Sequence, residues 1–537
     1  MKLMLNKNTT NKKERFYIPM NNLEKYIKLR NEFSSKLEAQ SYESELAAWN
    51  FYINSTDENL KKYTISQEKM SDLFKDKALY EELKEIQNIG LEDKHLAKQL
   101  KDLVKAFYNE IESGNELKAL RDKENEIAAK FNSYVMMLDG NQISKAEINK
   151  ILETETNVET RKKAYDAKIK AGDVIADDLV EFVKMRNAYA KNKGYDTYFD
   201  YMIDDSYEIS PKKLDELLSG VYSKTKDVSA KFDEERKEIL AKSFGINSKE
   251  LRDYHYGLLT DDTPEKAVNS CFKTKEQVVD IAKSVYNNMG YDVENIGITL
   301  DLFPRKGKNT HGFAFCIKPG KDARILANLT NNANSLDTIL HELGHCVYDI
   351  ALDTTMPFLD QEPSSCAMTE AVAMMMGDLP KTENILSEIV PADILDKFKV
   401  ELKKDDARFV NRSLQIIEFE REMYKNPEQD LKLLWKEMKQ KYLSRGENTD
   451  LNNEWATIPH YLSHPGYYQN YFRAALIKAQ LYNSLTDKLG EISKNTKTAE
   501  FLNSNLFKFG STKTDEELMF EITGKSLSED DFCNRIV

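Results

Sequence analysis

The stretch Ser335-Leu-Asp-Thr-Ile-Leu-His341-Glu342-Leu343-Gly344-His345-Cys-Val-Tyr-Asp-Ile350 decides how this chain is read. Leu336, Leu340, Leu343, Val347 and Ile350 recur at alternating spacings of four and three, the apolar stripe of a helix that faces a core. Ser335 is the expected N-cap, and Asp337 would sit in the first turn, where a negative charge suits the helix dipole. His341 and His345 lie one residue further round, at the edge of the stripe and on one face. Two imidazoles one turn apart, with a carboxylate directly after the first, form the arrangement that binds zinc and sets a base beside a zinc-activated water. A five-residue pattern also recurs by chance in helices, so its meaning depends on a third ligand elsewhere.

Composition narrows the setting. With 537 residues the chain can bury a large core, and with only 12 Pro, none of them between Asn21 and Ser210, it predicts long helices rather than many short strands. Net charge is −13 and no basic stripe is visible, which argues against nucleic acid as a partner. No run approaches the length of a membrane span, and the apolar run at the N-terminus is too short for a signal peptide. Five cysteines (Cys271, Cys316, Cys346, Cys366, Cys533), odd in number and without a CxxC, read as free thiols and point to the cytoplasm. Cys346 and Cys366 are expected as small core residues. Oligomeric state leaves no trace in the sequence.

Along the chain, residues 1–20 are polar and expected as a loose tail. Helical patterns follow one another from Leu23 to about Leu138, broken softly near Ser55, Gly90 and Ser113, with the first strong turn at Asp139-Gly140-Asn141. Helix resumes through Lys145 to Lys193 and pauses at Gly194; Ser210-Pro211 then opens another, Ser as N-cap and Pro at N1. Between Gly297 and Leu329 the pattern turns to strands: Ile298–Phe303, Gly312–Ile317, the turn Lys318-Pro-Gly-Lys, and Arg324–Leu329. This small sheet lies just before the motif helix, and its outer strand has the means to hold an extended peptide by strand addition. Helices dominate again after residue 363.

The search for a third ligand ends downstream, in Glu362-Pro-Ser-Ser-Cys-Ala-Met-Thr-Glu370-Ala-Val-Ala-Met-Met-Met-Gly-Asp378. Glu370 stands in an otherwise buried-looking segment, and a buried carboxylate is costly unless paired or bound to metal. Glu362 is the competitor, but it precedes Pro363 and falls outside the expected helix.

His341-Glu-Leu-Gly-His345, with Glu370 25 positions after the second histidine, resembles the gluzincin peptidases, closest to the thimet oligopeptidase/oligoendopeptidase F family and the angiotensin-converting enzyme (peptidyl-dipeptidase A) family. Gly307-Lys-Asn-Thr-His311-Gly-Phe-Ala-Phe-Cys-Ile-Lys-Pro319-Gly320 resembles the pre-motif sheet of the thimet family, and Trp455-Ala-Thr-Ile-Pro-His460 with Tyr467-Tyr468-Gln-Asn-Tyr471 resembles the oligoendopeptidase tail. Glu45-Leu-Ala-Ala-Trp49 through Glu58, and Leu179 through Tyr201, resemble the converting enzyme instead.

The resemblance implies a mainly α, two-lobed zinc-peptidase fold with a deep central cleft: one unit over 1–537, with 1–290 as a mostly helical lobe and 291–537 as the catalytic half. It implies one Zn2+ per chain held by His341, His345 and Glu370, with Glu342 as general base and then general acid. For the developing oxyanion it implies Tyr471, with Tyr468 one turn earlier and His460 beside them; His464 is an alternative to His460. His311 lines the substrate cleft in this reading, or is an ordinary strand-edge histidine. Asp378 and Asp337 are candidates for orienting the zinc imidazoles. Three departures from the converting-enzyme pattern stand out: Met374 where that family has an Asp, Asn470 where it has a chloride-linked arginine, and no lysine near Thr457 to take a substrate carboxylate. The expected activity is hydrolysis of short unfolded oligopeptides, of oligoendopeptidase or peptidyl-dipeptidase type. A helical binding or scaffold protein with a degenerate HExxH is the alternative, and the completeness of the residue set weighs against it.

Overall fold

Long helices form where proline is absent. The computed structural model describes residues 21–111, 114–207, 209–260 and 263–537; the expected tail at 1–20 and the break at Ser113 lie outside them. Helix Asn22–Ile53 opens on a capping box between Asn21 and Glu24. With helices Lys77–Ile89 and Lys94–Ile111 it closes a separate apolar cluster around Phe33, Leu83 and Phe107. Helix Val158–Asn192 runs 35 residues and buries Leu179, Phe182, Val183 and Ala190. Ser210 caps helix Pro211–Phe244 with proline in its first turn, as expected. Asp139 and Gly140 take positive φ, and the turn they make joins a two-residue strand pair, 137–138 with 141–142, that the sequence pattern did not announce. No helix among the described residues is long and apolar enough to cross a membrane.

The predicted sheet is present, with three strands. Ile298–Asp301 runs parallel to Asp322–Leu326, and Phe313–Lys318 pairs antiparallel with the other side of that middle strand, so Phe313–Lys318 is an edge. Alternation splits its side chains between two faces. Phe313, Phe315 and Ile317 meet Trp49, Tyr52 and Ile53 of the first helix, the Trp49 and Phe315 rings 5.5 Å apart. The opposite face, with Ala314 and Ile325, belongs to the main core and lies on the motif helix.

That helix spans Ala333–Ala351 and buries Leu336, Ile339, Leu340, Leu343 and Val347 completely. Its cap is Asn332, which accepts from the Ser335 amide; Ser335 instead accepts the Thr330 amide through its hydroxyl. The start thus precedes the sequence expectation, and Asp337 falls beyond the first turn. Helix Cys366–Gly377 packs against the motif helix on one side and against helix Tyr468–Leu489 on the other. The first contact is unusually close: a Cβ at Gly344 would stand 2.8 Å from the Ala373 Cα. Cys346 is buried as expected, whereas Cys366 opens its helix exposed and is no core residue. All five thiols are free.

Gly344→Ala therefore wedges two helix backbones apart and should cost about 1–3 kcal/mol. A urea unfolding midpoint unchanged by the substitution would show that the helices have room to give.

Candidate active site

One helical turn sets the His341 and His345 rings 5.0 Å apart, nearly perpendicular. The backbone contact at Gly344 brings Glu370, three residues before Ala373, across from both. Its two oxygens face one imidazole each, Oε1 3.8 Å from His341 Nε2 and Oε2 3.7 Å from His345 Nε2. All three ligand atoms lie within 4.8 Å of one another. These separations exceed a hydrogen bond and match donors gathered round one small cation at about 2.0–2.2 Å each. The side chains stay 19–22% exposed, so the group is walled by protein but open on one side.

The donors are also in the right state. Burial pulls the His341 pKa down to about 4 and, with the charge of His341 added, that of His345 to about 3, so both imidazoles are neutral with lone pairs to give. His345 Nδ1 hydrogen-bonds the Thr369 hydroxyl at 2.8 Å, which leaves Nε2 for the metal. Burial pushes the Glu370 carboxyl up to about 7. A dication at the centre reverses that penalty, and His2Glu is a donor set that zinc accepts. The residues present fit the ion.

Glu342 points to the sheet. Its carboxylate accepts the Ala314 amide of the edge strand, and a Cβ at Gly312 would stand 3.5 Å from Oε1. Burial, then the Glu370 charge, raises its pKa to about 7, near the value that suits a group that must take and return a proton.

A histidine and three tyrosines form a second cluster of their own. His460, half-buried in the short helix Pro459–Ser463, meets Tyr468 edge-on at 4.8 Å and Tyr471 at 6.0 Å; the Tyr468 and Tyr471 rings are 5.5 Å apart. Burial and then the Glu370 charge raise the Tyr471 hydroxyl to about 12, which keeps it protonated as a donor. Tyr467, not singled out from sequence, stacks on His460 at 5.7 Å and feels Glu370 as well. His464 is exposed, with Nδ1 bound to the Ser463 hydroxyl, and stays at the rim. His311 is likewise exposed, beside Phe313. Glu362 lies outside the helix that carries Glu370, as expected.

Asp378 makes no hydrogen bond to either imidazole: its carboxylate is held by Lys478 at 2.7 Å and Arg535 at 2.9 Å, and only its charge acts on His341. Asp337, an exposed side chain, turns its carboxyl to Gly377. Thr369 serves His345 instead, a role that its position beside Glu370 marks in retrospect. Two further groups escaped the sequence reading. Arg186, its guanidinium 3.9 Å over the Phe182 ring, donates to the Tyr461 and Leu462 carbonyls and so grips the helix that carries His460. Glu420 accepts the Gly466 amide at 2.9 Å, fixing the loop between His460 and Tyr467. A charged residue inside each apolar helical stripe was the available signal.

Burial raises the Glu420 pKa to about 8, from 4.5 in an unfolded chain. Its contribution to stability is therefore complete below about pH 4.5 and is lost as pH rises through 8. Glu420→Gln keeps an acceptor for Gly466 and removes the titration. Its unfolding midpoint should fall less between pH 5 and pH 8 than that of the parent; parallel profiles would contradict the assignment.

Comparison with known proteins agrees with this arrangement. A family model described as Peptidase family M3 matches residues 151–537, and one described as Angiotensin-converting enzyme matches residues 21–232. The two-part resemblance read from the residues is borne out: the converting-enzyme-like segments lie within the second match, the oligoendopeptidase-like ones within the first. "Oligoendopeptidase F, chromosomal" of Lactococcus lactis subsp. cremoris is 24% identical over 381 residues, 65% of this chain and 58% of the relative. "Oligoendopeptidase F homolog" of Lactococcus lactis subsp. lactis (strain IL1403) is 23% identical, over 60% of this chain and 53% of the relative. "Oligopeptidase PepF" of Bacillus subtilis (strain 168) is 27% identical over 233 residues, 41% of this chain and 32% of the relative. The chain spans about half the length of the first two relatives and less of the third.

Proposed function

We propose, from the premise that this chain belongs to peptidase family M3, that it is a zinc-dependent metallopeptidase hydrolysing peptide bonds in short unfolded oligopeptides. The convergence of His341, His345 and Glu370, with Glu342 alongside, is the observation that carries this reading. The names of the relatives, oligoendopeptidase and oligopeptidase, support the substrate class.

Zinc held by this triad would make a water acidic and polarise the scissile carbonyl. Glu342 takes the proton from the attacking water at a carboxylate oxygen and later hands it to the departing amine. The Ala314 amide keeps that carboxylate aimed and close to the edge strand, where an extended peptide lies by pairing with the free strand edge. Tyr471 donates its hydroxyl hydrogen to the oxygen that gains charge, with His460 and Tyr468 packed behind it. Arg186 and Glu420 hold the segment on which those three stand. The free thiols suit the cytoplasm, and the chain is read as one unit with its catalytic half in 291–537.

Metal analysis should find about one zinc per chain. Glu342→Gln should keep the zinc and lose peptide hydrolysis by about 10²–10⁴-fold; undiminished turnover would dismiss it as the base. Tyr471→Phe should lower kcat by about 10²–10³-fold with little change in KM. A change confined to KM would move Tyr471 from oxyanion stabiliser to substrate contact.

A further inference from the structure

The peptide unit between Pro465 and Gly466, just before Tyr467, is held at both ends. Tyr207 donates its hydroxyl hydrogen to the Pro465 carbonyl at 3.1 Å, and Glu420 accepts the Gly466 amide at 2.9 Å. A trans peptide points these two groups in opposite directions, so a partner on each stops the plane from turning about its long axis. The restraint matters because Gly466 stands at φ 72°, and glycine reaches negative φ about as readily. Tyr207 also fills the space that a side chain at 466 would take: a Cβ there would stand 3.3 Å from its Cε2. A turn of that one plane would swing Tyr467, the next residue.

Tyr207 itself is firmly anchored. Helix Tyr198–Tyr201 runs into a single π-helical turn, Met202–Ser206, which the Tyr207 amide closes on the Met202 carbonyl at 2.9 Å. Turns of this kind are uncommon and recur at functional sites. Ile203 is fully buried, and Asp205 ties the turn to Lys105 and, at 3.3 Å, to Lys101 of helix Lys94–Ile111. The Tyr207 and Tyr467 rings then meet edge-on at 6.2 Å.

Tyr467 in turn has three contacts that bear on the site. Its ring lies 5.7 Å from His460 and 5.3 Å from Tyr471, and its hydroxyl hydrogen-bonds the Cys366 thiol. Cys366 stands one turn before Glu370, so this last contact joins the histidine–tyrosine cluster to the helix that carries Glu370. We propose that Tyr207 is a positioning residue for the reaction: by fixing the Pro465–Gly466 peptide it holds Tyr467 against His460, Tyr471 and Cys366, and through Tyr467 it keeps the Tyr471 hydroxyl in place. The proposal rests on the peptidase reading for the reaction it serves.

Tyr207→Phe removes the hydroxyl and keeps the ring. In zinc-loaded protein it should lower kcat about tenfold and leave KM within about twofold. A second measurement needs no turnover. Of the five thiols Cys366 is the exposed one, and its alkylation by iodoacetamide, followed by peptide mass mapping across a range of pH, reports how readily it ionises. Burial and then the Glu362 charge push that thiol up, and the hydrogen bond from Tyr467 pulls it back. Tyr467→Phe, which removes the donor, should move the alkylation profile to higher pH and slow the reaction at pH 7 about threefold. Tyr207→Phe should move it the same way, although its own hydroxyl is bonded to Pro465. A loss of stability alone would leave the profile of the folded protein where it was. An unmoved profile in either variant overturns the proposal, as does an undiminished kcat in Tyr207→Phe when the parent cleaves peptides. A parent that cleaves none counts against the peptidase reading, and the thiol profile still decides whether Tyr207 holds Tyr467.

Discussion

The near-contact of two backbones at Gly344 and Ala373 governs the rest of the site. Two histidines on one helix can bring only two donors to an ion; the third must come from a neighbouring helix at a fixed height and distance. With no side chain between the helices, the Glu370 carboxylate reaches both imidazoles within 3.8 Å. A conventional helix spacing of about 8–10 Å would leave it short. The alanines and methionines of the second helix serve the same end, since they are small or pliable enough to pack on both neighbours.

Much of this was legible from residues. The stripe through Leu336 to Val347 described its helix correctly because apolar periodicity reflects burial directly. Glu370 stood out because an acidic residue amid Ala, Val and Met has to be explained by a partner. Strand alternation located the sheet to within a few residues. The helix start was misplaced because Asn332 and Ser335 are both good caps, and the choice between them depends on the Thr330 amide, a contact that no local pattern encodes. Asp378 was a fair candidate for a metal-site partner by spacing alone, yet Lys478 and Arg535 come to it from elements about 100 to 157 positions away. Tertiary pairing of that kind has no signature in a linear sequence.

Charge inside this protein is used to fix position. Arg186 and the Lys478–Asp378–Arg535 group are enclosed, and each grips a segment that also carries or adjoins a site residue. Buried ionic groups add little net stability compared with well-packed apolar ones, but they tolerate few alternative geometries. That property suits a site whose tyrosines and histidine must keep their places while one side stays open to a peptide.

The edge strand lies between the first helix and the motif helix, with Trp49 and Phe315 in contact across about half the sequence. Arg186 and Tyr461 meet over 275 positions. Such pairs give the active centre a high contact order even though the protein is built mostly from local helical contacts. Individual helices can form early, but Glu342 meets the edge strand, and the tyrosines take their places, only after the longest loops have closed. In the peptidase reading proposed above, catalytic competence is thus among the last properties this chain acquires as it folds.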